Sequence, residues 1–242
     1  RAGKLVWIKL RVTIRNEEPK QLTIKSTKTG KWHAFIVYEI EPKPYEAPVK
    51  ECGIDLGMEK YLVTSDGIFV PNSRTVRQYD ARVRKANRNL ARKKPGSNRR
   101  NKAKHRLRRV YEDRTNAMND FLHKTSTILA DRYQTIYVEN LNIEVLSRGM
   151  VKRVKDQAWG KFLKLLEYKL EERKGQLIYV NPNGTTQYCS RCGEYVPKDL
   201  TTRVHNCPTC GLLMERDLNA SINILKKGKG LAFTERTPLP SS

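Results

Sequence analysis

No stretch of this chain approaches the roughly 18 consecutive apolar residues that a membrane-spanning helix needs, and neither a signal peptide nor a lipidation motif is visible. That absence makes it read as soluble and cytoplasmic. Cysteine is sparse, five in 242 residues, and four of the five fall in two CxxC pairs, a pattern that in a reducing compartment favours zinc over disulfides. Acidic residues are also few. Asp and Glu number 25 against 48 Lys and Arg, and a net charge of +23 is self-repulsive unless a polyanion neutralises it. Nucleic acid is the leading partner, with an anionic membrane surface as the alternative. No internal repeat is visible, and an apolar content of 38% is enough for a real core, which excludes a disordered tail. The first residue is Arg rather than Met, so residues 1–50 read as the end of a larger module.

What is present is patterned. Residues 4–14 (KLVWIKLRVTI), 21–25 (QLTIK) and 32–40 (WHAFIVYEI) alternate or run apolar, and TKTGK separates the last two as a turn, so an antiparallel β segment is expected. The three prolines of EPKPYEAPVK mark a linker. Residues 53–70 read as two strands meeting near residues 57–60, with SDG as a further turn. Residues 74–114 hold seventeen Lys or Arg against three acids and are broken at KKPGSNRR by Pro95 and Gly96, which predicts two basic helices joined by a loop. A charge run is ordinarily a solvated helix face; because this one has a single sign, phosphate contact is favoured. Met118, Phe121, Leu122, Thr125, Ile128 and Leu129 then recur at helical spacing, QTIYVEN reads as a strand, and a second amphipathic helix carries Trp159, Phe162, Leu163, Leu166 and Leu170 up to a C-cap at Gly175. QLIYVNP is another strand. Strands alternating with helices after an opening hairpin predict an α/β fold with a mixed sheet.

One residue is out of place in this pattern. GIDLGMEKYLVTSDG sets a carboxylate, Asp55, inside an apolar strand, where a charge without a partner costs several kcal/mol. Glu139 closes the strand IYVEN in the same manner, and Asp217 opens RDLNASINIL, whose Ala220, Ile224 and Leu225 suggest a helix packed on the sheet. Each acid alone is more often a cap or an ion-pair partner. Three together, in so cationic a chain, suggest chelation of Mg²⁺, a hard cation that takes a few carboxylates and leaves room for water and phosphate. In two-metal sites, ions about 3.5–4 Å apart activate the attacking water and stabilise the leaving oxygen, which suits phosphodiester hydrolysis.

The segment CSRCGEYVPKDLTTRVHNCPTCG gives Cys189, Cys192, Cys207 and Cys210, two CxxC knuckles separated by fourteen residues. Four thiolates at this spacing are the donor set of a structural zinc site, and a redox dithiol is the weaker rival. His205 stands near enough in sequence to replace a cysteine but is not needed, and Cys52 reads as a small buried hydrophobe.

GIDLGMEKYLVTSDG, VENLNIEVL, TTQYCSRCG, CPTCG and RDLNASINIL, in that order and with a basic helical insertion after the first, resemble the TnpB proteins of insertion sequences, relatives of the compact type V CRISPR nucleases. The resemblance covers about residues 20–230. It implies a RuvC nuclease domain of RNase H-like fold over 49–183, with the basic insertion 74–114 and a zinc ribbon at 184–212, closed by a last helix at 213–230. Residues 1–48 resemble the end of the wedge β-barrel, most of which is lacking along with the helical recognition domain; residues 231–242 are a tail. It implies Asp55, Glu139 and Asp217 as catalytic acids on two Mg²⁺ ions, with Mn²⁺ as a substitute, and the four cysteines on one Zn²⁺. The partners it implies are a guide RNA from the transposon end and a target DNA, with the protein at the nucleoid. Arg99, Arg100, Lys102, Lys104, Arg106, Arg108 and Arg109 are then the first candidates to hold the guide–target heteroduplex by its backbone. Where the family often has HDRD, this chain has Met214, Glu215, Arg216 and Asp217, keeping the final acid. Two other readings stay open: a non-cleaving zinc-ribbon regulator derived from a transposon protein, and a Holliday-junction resolvase, which the ribbon and the basic insertion speak against.

Overall fold

The computed structural model describes residues 18–41, 45–140, 158–199 and 201–231. The expected strand at 4–14, part of the VENLNIEVL motif and nearly all of the tail lie outside them. The described residues form two compact units. One comprises those before residue 42 together with Tyr79–Arg114, and the other comprises the rest.

In the first unit, β1 (Pro19–Ser26) and β2 (Trp32–Tyr38) make the expected antiparallel hairpin, with Leu22 opposite Ile36 and Ser26 opposite Trp32. Gly30 takes a left-handed φ of 86° at its tip, a conformation that costs glycine nothing. Thr29 donates its hydroxyl to Glu112 at 2.7 Å, and Lys31 pairs with the same carboxylate at 3.2 Å.

The second unit is built on a five-stranded sheet. β3 (Val49–Leu56), β4 (Lys60–Thr64) and β5 (Phe69–Pro71) form an antiparallel meander. Along the chain two helices follow, α1 (Arg74–Ala91) and α2 (Asn98–Arg132), of which Tyr79–Arg114 belongs to the first unit, and then β6 (Tyr133–Glu139), parallel to β3. After α3 (Trp159–Glu171), β7 (Gln176–Val180) adds in parallel to β6, giving the order β5-β4-β3-β6-β7. A short antiparallel pair, β8 (Val204–Asn206) and β9 (Leu213–Glu215), precedes the final helix α4 (Arg216–Gly228). The sheet is therefore mixed, as the alternation of strands and helices predicts.

Side-chain alternation along the central strands gives the sheet two different faces. Ile54, Leu56, Ile136 and Val138 face one way, into a core with Leu122, Leu129, Phe162, Leu166 and Leu170 from the helices. Tyr61 is fully buried there, its ring edge-on to Phe121 at 4.8 Å and Phe162 at 5.3 Å. Each of these side chains contributes about 1.5–3 kcal/mol of burial. Gly53, Asp55, Tyr137 and Glu139 face the other way, where α4 packs with Ile224 against Tyr137 and Val180.

Two elements differ from expectation. The basic run and the amphipathic run after it belong to one helix of 35 residues, because residues 115–117 contain neither proline nor glycine. The change of pattern marks a change of surroundings, not a break. At the end of α3 the left-handed residue is Lys174, with φ 55°, and not Gly175. Gly175 instead donates its amide to Leu170 O at 2.8 Å and lies where a Cβ would come within 2.5 Å of the Gln134 carbonyl oxygen. Among the described residues no helix is long and apolar enough to cross a membrane.

Candidate active site and metal centre

Strand register sets the first two acids side by side. Gly53 pairs with Tyr137 and Ile54 with Val138 across the parallel strands, so the next residue on each, Asp55 and Glu139, stands at the carboxyl end of neighbouring strands on the α4 face. The third acid arrives with the helix. α4 crosses β3 so closely that a Cβ on Gly53 would lie 2.2 Å from the Ser221 carbonyl oxygen and 2.6 Å from the Leu225 amide nitrogen. Asp217, one turn earlier in α4, therefore comes to the end of β3, and its Oδ2 is 3.9 Å from the position a Cβ on Gly57 would take.

Electrostatics register the convergence. Burial pushes the Asp55 carboxyl well above the usual carboxylate range, and the charges of Glu139 and Asp217 push it further, with partial relief from Arg216. Glu139 is also raised by burial, against the Thr185 hydroxyl and the Lys227 ammonium. A half-buried trio of like charges is a cost to the fold unless cations enter it. Hard carboxylate oxygens fit Mg²⁺ or Mn²⁺. The three carboxylates are wider apart than the four sulfurs described next, which are the one His, Cys, Asp or Glu group among the described residues with all donor atoms within 4.8 Å.

Cys189 and Cys210 have sulfurs 3.6 Å apart, as do Cys192 and Cys207. Each CxxC turn closes in the same way: Gly193 N donates to Cys189 O and Gly211 N to Cys207 O, both at 2.9 Å, with both glycines left-handed. Burial raises the Cys207 thiol, but hydrogen bonds from the amides of Cys210 and Thr209, together with those to the Cys192 and Cys210 side chains, outweigh it and bring it to about 7. These four residues can hold a metal ion. His205 is fully buried beside them without joining the donor group, and burial followed by the Lys198 charge lowers it to about 4, leaving it neutral.

Several polar residues that join these two sites were not picked out from the sequence. Arg216 donates to Asp217 Oδ1 at 3.1 Å and to the Thr202 carbonyl at 3.0 Å. Lys60 pairs with Glu215, and Arg203 with Glu59 at 2.8 Å, tying the β3–β4 turn to the cysteine-bearing segment. Asn219 and Asn223, both fully buried on α4, bond to the backbone around Cys189. A signal for the asparagines was available, since two polar residues four apart lie beside Ala220 and Ile224 in the buried stripe.

The basic candidates all sit on the first half of α2. Arg99, Lys102, Lys104, Arg106, Arg108 and Arg109 are exposed and have no ion-pair partner among the described residues. Arg100 is partly buried, and its guanidinium caps the end of α1 through the carbonyls of Leu90 at 3.3 Å and Lys93 at 3.0 Å. Lys102, Arg106 and Arg109 line an open groove of about 470 Å³ with Asn101 and His105.

A family model described as "Probable transposase" matches residues 35–150, and one described as "Cas12f1-like, TNB domain" matches residues 159–224. A Streptomyces pristinaespiralis protein named "Putative RNA-guided DNA endonuclease" is 33% identical over 215 residues, covering 87% of this chain and 53% of that protein. The chain belongs to the TnpB family. A second relative, from Escherichia coli and named "Putative RNA-guided DNA endonuclease InsQ", is 27% identical over 244 residues, covering 93% of this chain and 61% of that protein. The chain thus spans about half the length of these curated relatives. Among solved structures, a Cas12f1–sgRNA–target DNA complex superposes with a TM-score of 0.55 at 17% identity, covering 84% of this chain and 55% of that one, a likeness of fold. The α/β expectation, with a mixed sheet flanked by helices, holds.

Proposed function

We propose that this TnpB-family chain carries the nuclease centre of an RNA-guided DNA endonuclease of a transposable element, hydrolysing DNA phosphodiesters in a RuvC-type site. One observation carries the reading: Glu139 and Asp217, both distant in sequence, lie close enough to Asp55 at one end of the sheet for their charges to raise its affinity for positive charge. Asp55, held on the central strand, would hold two Mg²⁺ ions together with Glu139 and Asp217. Bound there, Mg²⁺ or Mn²⁺ supplies an activated water and offsets charge on the leaving oxygen. The products would carry 5′-phosphate and 3′-hydroxyl ends. Holding Asp55 and Glu139 on neighbouring hydrogen-bonded strands limits the reorganisation asked of them during the reaction.

The metal at Cys189, Cys192, Cys207 and Cys210 is zinc in this reading, a closed four-thiolate site of structural type. A guide RNA from the transposon end and a target DNA are the polyanions that balance the excess of Lys and Arg, and such a protein belongs with the nucleoid. The exposed α2 cations hold the heteroduplex by its phosphates, and base pairing reads the sequence. The domain limits inferred from sequence, 1–48, 49–183, 184–212, 213–230 and 231–242, are retained for this reading.

The test is Mg²⁺-dependent cleavage of a labelled DNA complementary to the RNA that copurifies with the protein, comparing the parent with Asp55→Ala. Losing a carboxylate that holds the catalytic metals removes about 3 kcal/mol or more of transition-state stabilisation, a loss of about a hundredfold. Equal cleavage by both proteins overturns the site; RNA binding without cleavage in either favours the non-cleaving regulator.

A further inference from the structure

The hydroxyl of Thr185 is buried, with 1% of the residue exposed, and it donates to Glu139 Oε1. Its other contact, the Pro182 carbonyl at 3.1 Å, competes for the same single proton, and an ionised carboxylate is the stronger acceptor. Thr185 is itself held from α4. Asn223 donates its two amide hydrogens to the carbonyls of Thr185 at 2.8 Å and Tyr188 at 2.7 Å. Both acceptors are carbonyls, so the amide orientation follows from chemistry. The Asn223 Oδ1 is left buried with no partner among the described residues, a cost that marks the amide group as retained for its donors. One turn earlier, Asn219 donates to the same Tyr188 carbonyl at 2.8 Å and accepts the Ser190 amide at 2.9 Å.

These bonds form one continuous line. It starts at the residues flanking Cys189, passes through two asparagines on the helix that carries Asp217, and ends on the carboxylate of Glu139. Every side chain in it is fully or almost fully buried except Glu139, which is half-buried. We infer that Thr185, oriented by Asn223, is a positioning residue for Glu139. It occupies one lone pair of Oε1, so that the remaining oxygen positions turn toward Asp55 and the divalent cation, and it links the first cysteine knuckle to the acid site. This rests on the reading of Glu139 as a cation ligand.

Val and Ser separate positioning from packing. Thr185→Val keeps the shape and removes the hydroxyl, while Thr185→Ser keeps the hydroxyl and removes the methyl. The probe is Mn²⁺ alone, added to the zinc-loaded chain and followed by the loss of the free-ion electron paramagnetic resonance signal. Glu139→Gln is the reference, and zinc content and thermal melting are measured on every variant. Thr185→Val is expected to weaken Mn²⁺ binding by about tenfold or more, the usual effect of removing a partner that orients a metal ligand, while Thr185→Ser stays near the parent. Asn223→Ser, which frees the Thr185 carbonyl without touching the hydroxyl, is expected to weaken it as well. Should the Val variant fail to fold, Thr185→Ala and Asn223→Ser carry the comparison. Parental affinity in Thr185→Val, or a larger loss in Ser than in Val, overturns the positioning role. If the parent binds no Mn²⁺, or Glu139→Gln binds as tightly as the parent, the acid-site reading falls and this inference falls with it.

Discussion

Gly53 stands two residues before Asp55 on β3 and makes room for the helix that brings Asp217. The backbone of α4 occupies the space of a side chain at this position, so any Cβ would meet main-chain atoms that have no rotamer by which to yield. Gly228 repeats the device at the other end of the helix, where a Cβ would come within 2.0 Å of the Tyr137 ring. Gly53→Ala is therefore expected to destabilise the chain by about 3 kcal/mol, the upper range for overpacking, and to weaken Mn²⁺ binding because Asp217 moves with α4. Urea unfolding and ion titration on the same variant check both; parental stability in Gly53→Ala would show that α4 does not press on β3. At this scale the acids were legible, because a carboxylate in an apolar strand contradicts its surroundings. The role of Gly53 was not. Its reason lies in Ser221 and Leu225, and no local pattern in the first strand points to them. Thr185 was hidden for a related reason: a hydroxyl in a polar loop looks ordinary until its acceptor is known.

Elements were readable where periodicity and packing agree. The apolar stripe of α3, Trp159 to Leu170, faces the core as its spacing predicts, and Ala220 and Ile224 of α4 are buried. In α2 composition changes without a helix breaker, and a reading by composition divides what the backbone keeps whole. Junctions between elements depend on polar networks that composition does not show, and the β4–β5 turn is one. Asp66 accepts from the Thr64 hydroxyl, from Arg132 at 2.9 Å and from Tyr133 at 2.8 Å, joining the turn to the α2–β6 junction. Burial alone would raise its pKa, but these donors outweigh it and hold it below 3.8. Because the folded value lies below the unfolded one, the stabilisation is present above 3.8 and disappears as pH falls through the folded value. Asp66→Asn should then cost about 1–2 kcal/mol at neutral pH, with the gap from the parent closing in acid. Thermal melting across roughly pH 3–7, in the manner of a linkage measurement, checks it, and a gap independent of pH would assign the loss to packing.

For the whole molecule, charge was the most legible property and the partner the least. An excess of 23 positive charges calls for a polyanion, yet it does not say which one, and the family relationship narrows the choice where composition cannot. The distribution of those charges adds a testable distinction. Cations that pair with acids inside the protein, such as Arg114 with Asp80 and Arg173 with Asp131, release few counterions when nucleic acid binds. Exposed cations with no such partner release theirs, and each phosphate neutralised on a duplex contributes about 0.9 to the slope of log affinity against log salt. Replacing Lys102, Arg106 and Arg109 together with Ala should thus lower the salt slope of duplex DNA binding by about 2.7 and weaken binding evenly across unrelated sequences. Replacing Arg114 and Arg173 should leave the slope nearly unchanged while lowering stability. Fluorescence anisotropy between about 50 and 200 mM salt, the range over which such contacts dominate, measures both. If the triple variant keeps the parental slope, the groove on α2 does not contact phosphate, and its part in the proposed function falls.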